Sequence, residues 1–230
     1  MSPQANTDVF GRGREALALA RAAFEGRGFF VSARRLQPDG SWLGPGEAVL
    51  AMVEEDALAA LGGLRAARSK GANAVLCNLG SPLHRQAIGL GMRSLVRVPF
   101  LAGESAQERR TRMGQLAETF RDCAGLDGIA PVPVGEAQGL DTIQFFAACR
   151  LACPAAHLVV DVELLGHQLG QLCLSFGADE IMGPIVNQRA LRLGALATSK
   201  ELTRDEGAQL LRASGFVPCE RLPEGKVQVL

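Results

Sequence analysis

The stretch HLVVDVELLGHQLGQLCLSFGADEIMG, residues 157–183, contains a complete strand–helix–strand unit. Its opening residues, 157–163, are rich in valine and leucine, as is typical of a buried parallel strand. An apolar helical segment follows, and Gly177 ends it because glycine readily takes the left-handed conformation that closes a helix. The short run at 180–183 then predicts a second strand, so the unit is βαβ.

The same alternation of strand and helix extends outward from this unit. Apolar runs at 73–79, 94–100 and 128–134 predict earlier strands, each followed by a helical segment. Three of the helices begin with the residue spacing of a capping box, which marks a helix N-terminus. These are Ser105 to Glu108, Asp141 to Gln144 and Thr203 to Glu206. Strands that alternate with helices of about 10 to 15 residues indicate a parallel sheet, so the fold class is α/β.

The number of strands decides between a whole barrel and part of one. An eight-stranded (β/α) barrel usually needs about 200 to 250 residues, and only five or six strands can be counted. Residues 47–71 predict two short helices, and residues 1–46 predict a helix, a short strand and a loop. We therefore expect a partial (truncated) parallel (β/α) barrel at 47–230 with an N-terminal helical extension. Its open strand edges favour a homodimer or a partner protein that covers them.

Composition excludes several classes of function. The 230 residues contain 24 basic and 24 acidic side chains without a basic stripe, so nucleic acid is not an expected partner. No run reaches the roughly 18 apolar residues of a membrane helix, and no signal peptide is recognisable. We expect a cytoplasmic protein. The six cysteines lack the short spacings of a secreted framework, which predicts reduced, buried thiols.

Three longer phrases carry a family resemblance. They are GMRSLVRVPFLAGESAQERRTRMGQLAETF (91–120), PVPVGEAQGLDTIQFFAACRLACP (131–154) and the opening stretch. Together they resemble the C-terminal half of the radical-SAM enzymes of the futalosine menaquinone pathway, aminofutalosine synthase and dehypoxanthine futalosine cyclase; the deazaflavin (FO) synthases look similar. The resemblance spans residues 91–221 and, more weakly, 43–78. It implies a radical-SAM-type barrel and a link to menaquinone biosynthesis.

The motif that would carry the family's chemistry is missing. In radical-SAM enzymes, three thiolates of a C-x3-C-x2-C loop after the first strand bind a [4Fe–4S] cluster. Here the segment taken as the first strand, 73–79, runs into GSPLHRQAIGLG, and no triple-cysteine loop occurs. Cys149 and Cys153 have a matching spacing, but they lie inside a predicted helix that Pro154 follows. We therefore expect no metal site, no cluster and no binding of S-adenosylmethionine.

Polar residues near the carboxyl ends of the predicted strands are the candidate site, because ligands of parallel α/β sheets bind there. We assign no catalytic residue. Arg97 and Asp161 interrupt apolar strands; they could form an internal ion pair, bind a small anion or substrate, or be exposed at an open side. Asp179 and Glu180 lie at the N-terminal end of the last strand, where a structural role is expected. The substrate-binding candidates are Asn78, Arg97, Glu104, Asp161, Glu163 and Asn187.

These features together favour a cluster-less, radical-SAM-like protein associated with menaquinone (futalosine) biosynthesis. It would act as a non-radical accessory subunit that binds a small molecule or a partner protein. One alternative is an enzyme of different, non-radical chemistry that uses the polar residues at the strand ends. A third is a component of a radical-SAM menaquinone enzyme whose cluster a partner chain supplies.

Overall fold

The computed structural model describes residues 8–46, 48–135, 139–187 and 201–230. The helices are α1 (Val9–Ala23), α2 (Leu58–Leu61), α3 (Leu64–Ser69), α4 (Leu83–Gly89), α5 (Ala106–Asp122), α6 (Gly139–Ala152), α7 (Val162–Ser175) and α8 (Arg204–Ala213). The strands are β1 (Arg27–Leu36), β2 (Trp42–Leu43), β3 (Leu50–Glu54), β4 (Ala74–Asn78), β5 (Arg93–Leu101), β6 (Gly128–Val134), β7 (His157–Asp161), β8 (Glu180–Gly183), β9 (Ile185–Val186), β10 (Leu202–Thr203), β11 (Val217–Arg221) and β12 (Val227–Val229). Two 3₁₀ turns, Glu55–Ala57 and Pro223–Gly225, complete the described elements.

Seven parallel strands close a barrel in the order β1-β3-β4-β5-β6-β7-β8, and β8 pairs back onto β1. The partial barrel of five or six strands that the sequence predicts is therefore wrong. Residues 50–54 form a strand although they were expected to be helical, because periodicity does not separate a short buried strand from a helix. Residues 73–79 then supply the third barrel strand instead of the first.

β1 is long enough to pair with four strands, one of which is the short antiparallel β2 at Arg35 and Leu36. Along one edge it pairs with β8, and along the other it pairs first with β11 at Arg27–Phe30 and then with β3 at Ala33–Leu36. β12 adds an antiparallel strand outside β11. The barrel itself has no open edge, so the argument that a partner must cover one is lost. The homodimer or partner stays a prediction.

The interior of the barrel is built in layers, because alternate residues of each strand point inward. Its apolar core is formed by Val31, Ala33, Leu50, Met52, Ala74, Leu76, Leu95, Ala130, Val159 and Met182. Two residues further along five of these strands, the inward positions become polar. This charged layer consists of Arg35, Glu54, Asn78, Arg97 and Asp161, and the end of the barrel that it fills is called the barrel mouth below.

The helices surround the barrel and bury their apolar sides against it. The capping boxes at Ser105 and Thr203 are formed, each with the predicted glutamate at the third helical position. Asp141 is not a cap as predicted, because α6 begins at Gly139; its carboxylate instead accepts from the Gly103 amide at 3.2 Å. No helix in the described parts of the chain is long and apolar enough to cross a membrane.

Candidate functional site at the barrel mouth

Arg35 is the centre of the barrel mouth. Strand alternation in β1 turns it inward while Arg34 points outward and stacks over the Trp42 ring at 4.3 Å. The Arg35 side chain is only 13 % exposed, and its Nη1 donates to Glu54 Oε1 at 2.5 Å. Its Nε donates to Glu163 Oε2 at 3.3 Å, and its Nη2 donates to Asp161. One guanidinium therefore holds carboxylates from three elements together.

Arg97 extends the same network from β5. Its Nη1 donates to Asp56 at 2.7 Å and lies 3.8 Å from Glu54 Oε2, so Glu54 stands between two arginines. The pairing of Arg97 with Asp161, one of the alternatives left open by the sequence, is not formed; Asp161 pairs with Arg35. The network contains two arginines and four carboxylates. With every group ionised, the network carries an excess of two negative charges.

The network also shifts the proton affinities of its buried members. Burial acts to lower the pKa of Arg35, but Asp161, Glu54 and Glu163 outweigh it, and the pKa is raised. Burial raises the pKa of Asp161, although Arg35 acts in the opposite direction. Asp161 also caps α7, because its Oδ1 accepts from the Glu163 amide at 3.0 Å. Arg35 therefore stays charged, while Asp161 holds a proton more strongly than an ordinary aspartate.

The structure brings some of the six predicted site residues together and separates others. Arg97, Asp161 and Glu163 share the network, and Asn78 is the register partner of Arg97 on β4. Glu104 has a buried side chain beside Arg112, 2.8 Å away, outside the network. Asn187 is exposed and lines a separate cavity of about 600 Å³ next to β9.

Sequence reasoning missed three residues of the network: Arg35, Glu54 and Asp56. The sequence predicts a short strand at 29–32, and Arg35 lies three residues beyond it; a charged residue at an inward position of the longer strand was a usable signal. Glu54 and Asp56 follow the apolar run 50–53, which was interpreted as helix. Their roles became visible only with the pairing of β1 and β3.

Exposed apolar side chains surround this charged floor. Each lies at the carboxyl end of a strand or just after it, and each is about half exposed; we call them the apolar rim. Leu101 and Val134 are register partners at the ends of β5 and β6. Clustered exposed apolar residues are a common mark of a binding surface. The apolar rim consists of Leu43, Leu101, Val134, Leu140 and Leu164.

The cysteines do not fit a [4Fe–4S] cluster. Residues 37–49, which follow the first barrel strand, contain no cysteine, and all six cysteines of the chain are buried elsewhere. Burial raises the pKa of Cys77 to about 12 and that of Cys153 to about 11, whereas a cluster needs thiolates. Nor do the described residues include three His, Cys, Asp or Glu side chains placed to hold a metal ion.

Comparison with known proteins gives a weak but consistent result. No protein-family model matches the chain. Aminodeoxyfutalosine synthase of Thermus thermophilus is 25 % identical over 154 residues, which cover 60 % of this chain and 41 % of that protein. The chain thus spans less than half the length of that relative. The resemblance to the futalosine enzymes noted in the sequence is confirmed at this level.

Solved structures share the barrel. Methylornithine synthase (PylB) superposes with a TM-score of 0.63 at 12 % identity, covering 94 % of this chain and 90 % of that one. The chain therefore shares the barrel fold of that enzyme. HydG from Carboxydothermus hydrogenoformans, a FeFe-hydrogenase maturase, gives a TM-score of 0.57 at 11 % identity, with coverages of 91 % and 71 %. At such identities the likeness concerns the fold alone.

Proposed function

We propose that this protein is a non-radical accessory of menaquinone (futalosine) biosynthesis and binds a small molecule at the barrel mouth. The similarity to aminodeoxyfutalosine synthase supports the pathway, and the barrel fold supports the place of binding. The observation that carries the proposal is the Arg35 network inside the apolar rim. It combines a charged, hydrogen-bonding floor with exposed apolar walls, as ligand sites usually do.

The non-radical part of the proposal rests on the cysteines. Because the thiols present do not fit a cluster, we assign no step to one, and we expect no binding of S-adenosylmethionine. A cytoplasmic location, inferred from the sequence, belongs to the same proposal. The homodimer or partner protein that the sequence predicts also stays a prediction, which light scattering of the purified protein tests.

The charges at the mouth indicate the class of ligand. Two carboxylates in excess favour a ligand that donates hydrogen bonds or carries an amino group, and the rim favours an apolar or aromatic body. Aminodeoxyfutalosine, the compound for which the relative is named, is the probe to use. It would lie across the rim with its donors toward Glu54 and Glu163.

Isothermal titration calorimetry with aminodeoxyfutalosine tests this binding. We expect the wild type to bind and Arg97→Met to weaken binding at least about tenfold, because the network that orients the carboxylates is opened. Arg35→Met should weaken binding further, although loss of its cation also destabilises the fold. Arg14→Met is the matched control, since the Arg14 side chain is largely exposed on α1 and belongs neither to the network nor to the rim.

Two results would contradict binding at the mouth. One is a wild type that shows no heat with the probe. The other is an Arg14→Met variant that loses as much affinity as Arg97→Met, because the effect would then not depend on the mouth. Circular dichroism of each variant separates lost binding from lost folding.

Anaerobic reconstitution with iron and sulfide tests the non-radical part separately. We expect no stoichiometric iron and no iron–sulfur absorption band after desalting. A protein that retains about four irons per chain would overturn this part while leaving the binding result intact.

A second candidate function is favoured by one observation, the raised pKa of the buried Asp161 carboxyl at the mouth. A carboxyl with increased proton affinity can serve as a general acid in a non-radical enzyme. If this candidate is correct, incubation with aminodeoxyfutalosine yields a product in mass spectrometry. Asp161→Asn then abolishes turnover while calorimetry still detects binding. Absence of conversion by the wild type rejects this candidate with that substrate.

A further inference from the structure

β12 is the outermost strand of the sheet and has a free edge. It pairs with β11 on one side, and no other strand of the described residues pairs with it on the other. The N–H of Leu230 donates to the Pro218 carbonyl at 3.0 Å, so Gln228, two residues earlier, also faces β11. Val227 and Val229 therefore direct their N–H and C=O groups away from the sheet. The free edge offers two backbone donors and two acceptors.

The side chains of this edge do not protect it from pairing. Exposed edge strands commonly carry a lysine, a proline or a bulge, but residues 227–230 contain neither a charged side chain nor a proline, and their register with β11 is regular. Val227 and Val229 are about half exposed. Val217 is equally exposed and lies on the same face, because Val229 is the register partner of Cys219. The edge thus presents a small apolar face beside its unpaired backbone.

The free edge is complementary to a second copy of itself. An antiparallel pair about a twofold axis at Gln228 places Val227 opposite Val229 of the other copy, because the sequence VQV reads the same in both directions. Each of the two valine pairs exchanges two backbone hydrogen bonds, so all four outward groups of each copy find a partner. The two Gln228 side chains meet at the axis, where an amide can both donate and accept.

Like charges do not oppose this register. Lys226 precedes the strand and lies two residues from the axis, so the lysines of the two copies fall on opposite sides of it. Four residues of strand separate them, a distance of about 14 Å along the sheet. Charges this far apart in water are largely screened at physiological ionic strength, where the screening length is about 8 Å.

We propose that the free edge of β12 is a dimer interface that pairs with β12 of a second copy of this chain. The two sheets join into one, and Val227 and Val229 of both copies form a cluster of cross-strand pairs, which stabilises antiparallel strands. β11, which carries β12, pairs with β1 at Arg27–Phe30, away from the barrel mouth at Arg35. The interface therefore does not depend on the proposed function.

Sedimentation equilibrium of the purified protein from about 1 to 300 µM tests the interface. We expect a monomer–dimer equilibrium with a dissociation constant of about 10 to 100 µM, because the interface is small. The double variant Val227→Lys/Val229→Lys places new lysines opposite each other and should weaken dimerisation at least about tenfold. Val227→Glu/Val229→Glu should do the same. An equimolar mixture of the two variants brings opposite charges together in this register, so it should form heterodimers with about the wild-type affinity.

Leu172→Lys is the matched control, because Leu172 is also about half exposed but lies on α7. It should dimerise like the wild type, and circular dichroism checks that every variant is folded. A wild type that stays monomeric at 300 µM would overturn the proposal. A dimer that the double lysine variant leaves unchanged, or folded variants whose mixture fails to associate, would overturn it equally. None of these results bears on aminodeoxyfutalosine binding at the mouth.

Discussion

At the scale of single residues, the joint before β8 contains the most deeply buried ion pair described, between Arg150 and Asp179. Both side chains are fully buried. Asp179 also accepts from the Leu158 amide at 2.8 Å, and Arg150 donates to the carbonyl oxygens of Ala156 at 2.6 Å and Gly177 at 2.8 Å. The pair thus ties α6 to the entries of β7 and β8. The structural role that the sequence predicts for Asp179 agrees with these bonds.

Removal of one partner should be costly. We expect Arg150→Met to lower the free energy of unfolding by about 3 to 5 kcal/mol, because it leaves the buried Asp179 carboxylate without its cation. Arg14→Met is the matched control: the pair of Arg14 with Asp8 is largely exposed, and we expect a change of less than about 1 kcal/mol. Urea denaturation measures both. Equal effects in the two variants would contradict the assigned role.

His84 couples stability to pH. Its side chain is buried, with Nδ1 2.8 Å from Ser94 Oγ and Nε2 3.2 Å from the Asn78 carbonyl oxygen. Burial lowers the pKa of His84, although Asn78 and Glu55 act to raise it. The folded state therefore keeps His84 neutral at a pH where the unfolded chain, with a pKa of about 6.5, already binds a proton.

The direction in which stability changes with pH follows from proton binding. Because the unfolded chain binds more protons below about pH 6.5, the contribution of His84 to stability is present above that pH and is lost as the pH falls. We expect the free energy of unfolding to decrease between about pH 7.5 and pH 5.5, and His84→Gln to make this decrease smaller. Urea titrations across that range measure it. An unchanged slope in the variant would show that other groups cause the loss.

At the scale of elements, the contact between β6 and β7 depends on a glycine. These strands share only two register pairs, Gly128 with His157 and Ile129 with Leu158. A Cβ at Gly128 would lie 2.8 Å from the backbone oxygen of His157 and 3.3 Å from a Leu95 methyl group. Backbone cannot yield as a side-chain tip can, so the strands must move apart if a side chain is added.

We therefore expect Gly128→Ala to destabilise the protein by about 1 to 3 kcal/mol. Gly114→Ala serves as the control, because Gly114 lies in the middle of α5 and a Cβ there meets nothing within 4 Å. That variant should gain about 0.5 to 1 kcal/mol, since alanine favours helix over glycine. Thermal melts of the two proteins should shift in opposite directions. A lower melting temperature for both would argue against the clash as the cause.

The elements also show how far the sequence could predict the fold. The strands between residues 73 and 183 were predicted because each is a local apolar run bounded by glycine or a helix cap. β3 was missed because its short run fits a helix equally well, and only its pairing with β1 and β4 decides. β1 was predicted as only a short strand, 29–32, which left out its charged end.

The same reason explains why the sequence predicted some residues of the candidate site and missed others. Arg97, Asp161 and Glu163 were found because their strands were recognised and their place at the strand ends was known. Arg35 and Glu54, which hold the network together, belong to the two strands that were shortened or missed. The barrel closes only through those two strands. The prediction of an incomplete barrel and the failure to find Arg35 and Glu54 therefore have one cause.

At the scale of the whole molecule, the clusters of charged side chains and the cysteine thiols lie in different parts of the closed barrel. Ion pairs lie around Arg35 at the mouth and, at the other end of the barrel, between Glu180 and Arg93 and Arg221, whereas the cysteines lie in buried positions of the strands and surrounding helices. Burial raises the pKa of Cys77 and Cys153, and also that of Cys149 and Cys173. Thiolate, the reactive and metal-binding form, is therefore suppressed at these four cysteines in the folded protein.

A thiol titration checks this distribution. With an aromatic disulfide reagent near pH 8, we expect no thiol of the native protein to react at the rate of a free cysteine, and all six to react in guanidinium chloride. Cys123 should be the first to react in the native state, because it lines a cavity of about 540 Å³ between α4 and α5. Cys123→Ser should then remove the earliest native phase. Several thiols that react rapidly before unfolding would contradict the buried arrangement, and with it the main physical reason for excluding a cluster.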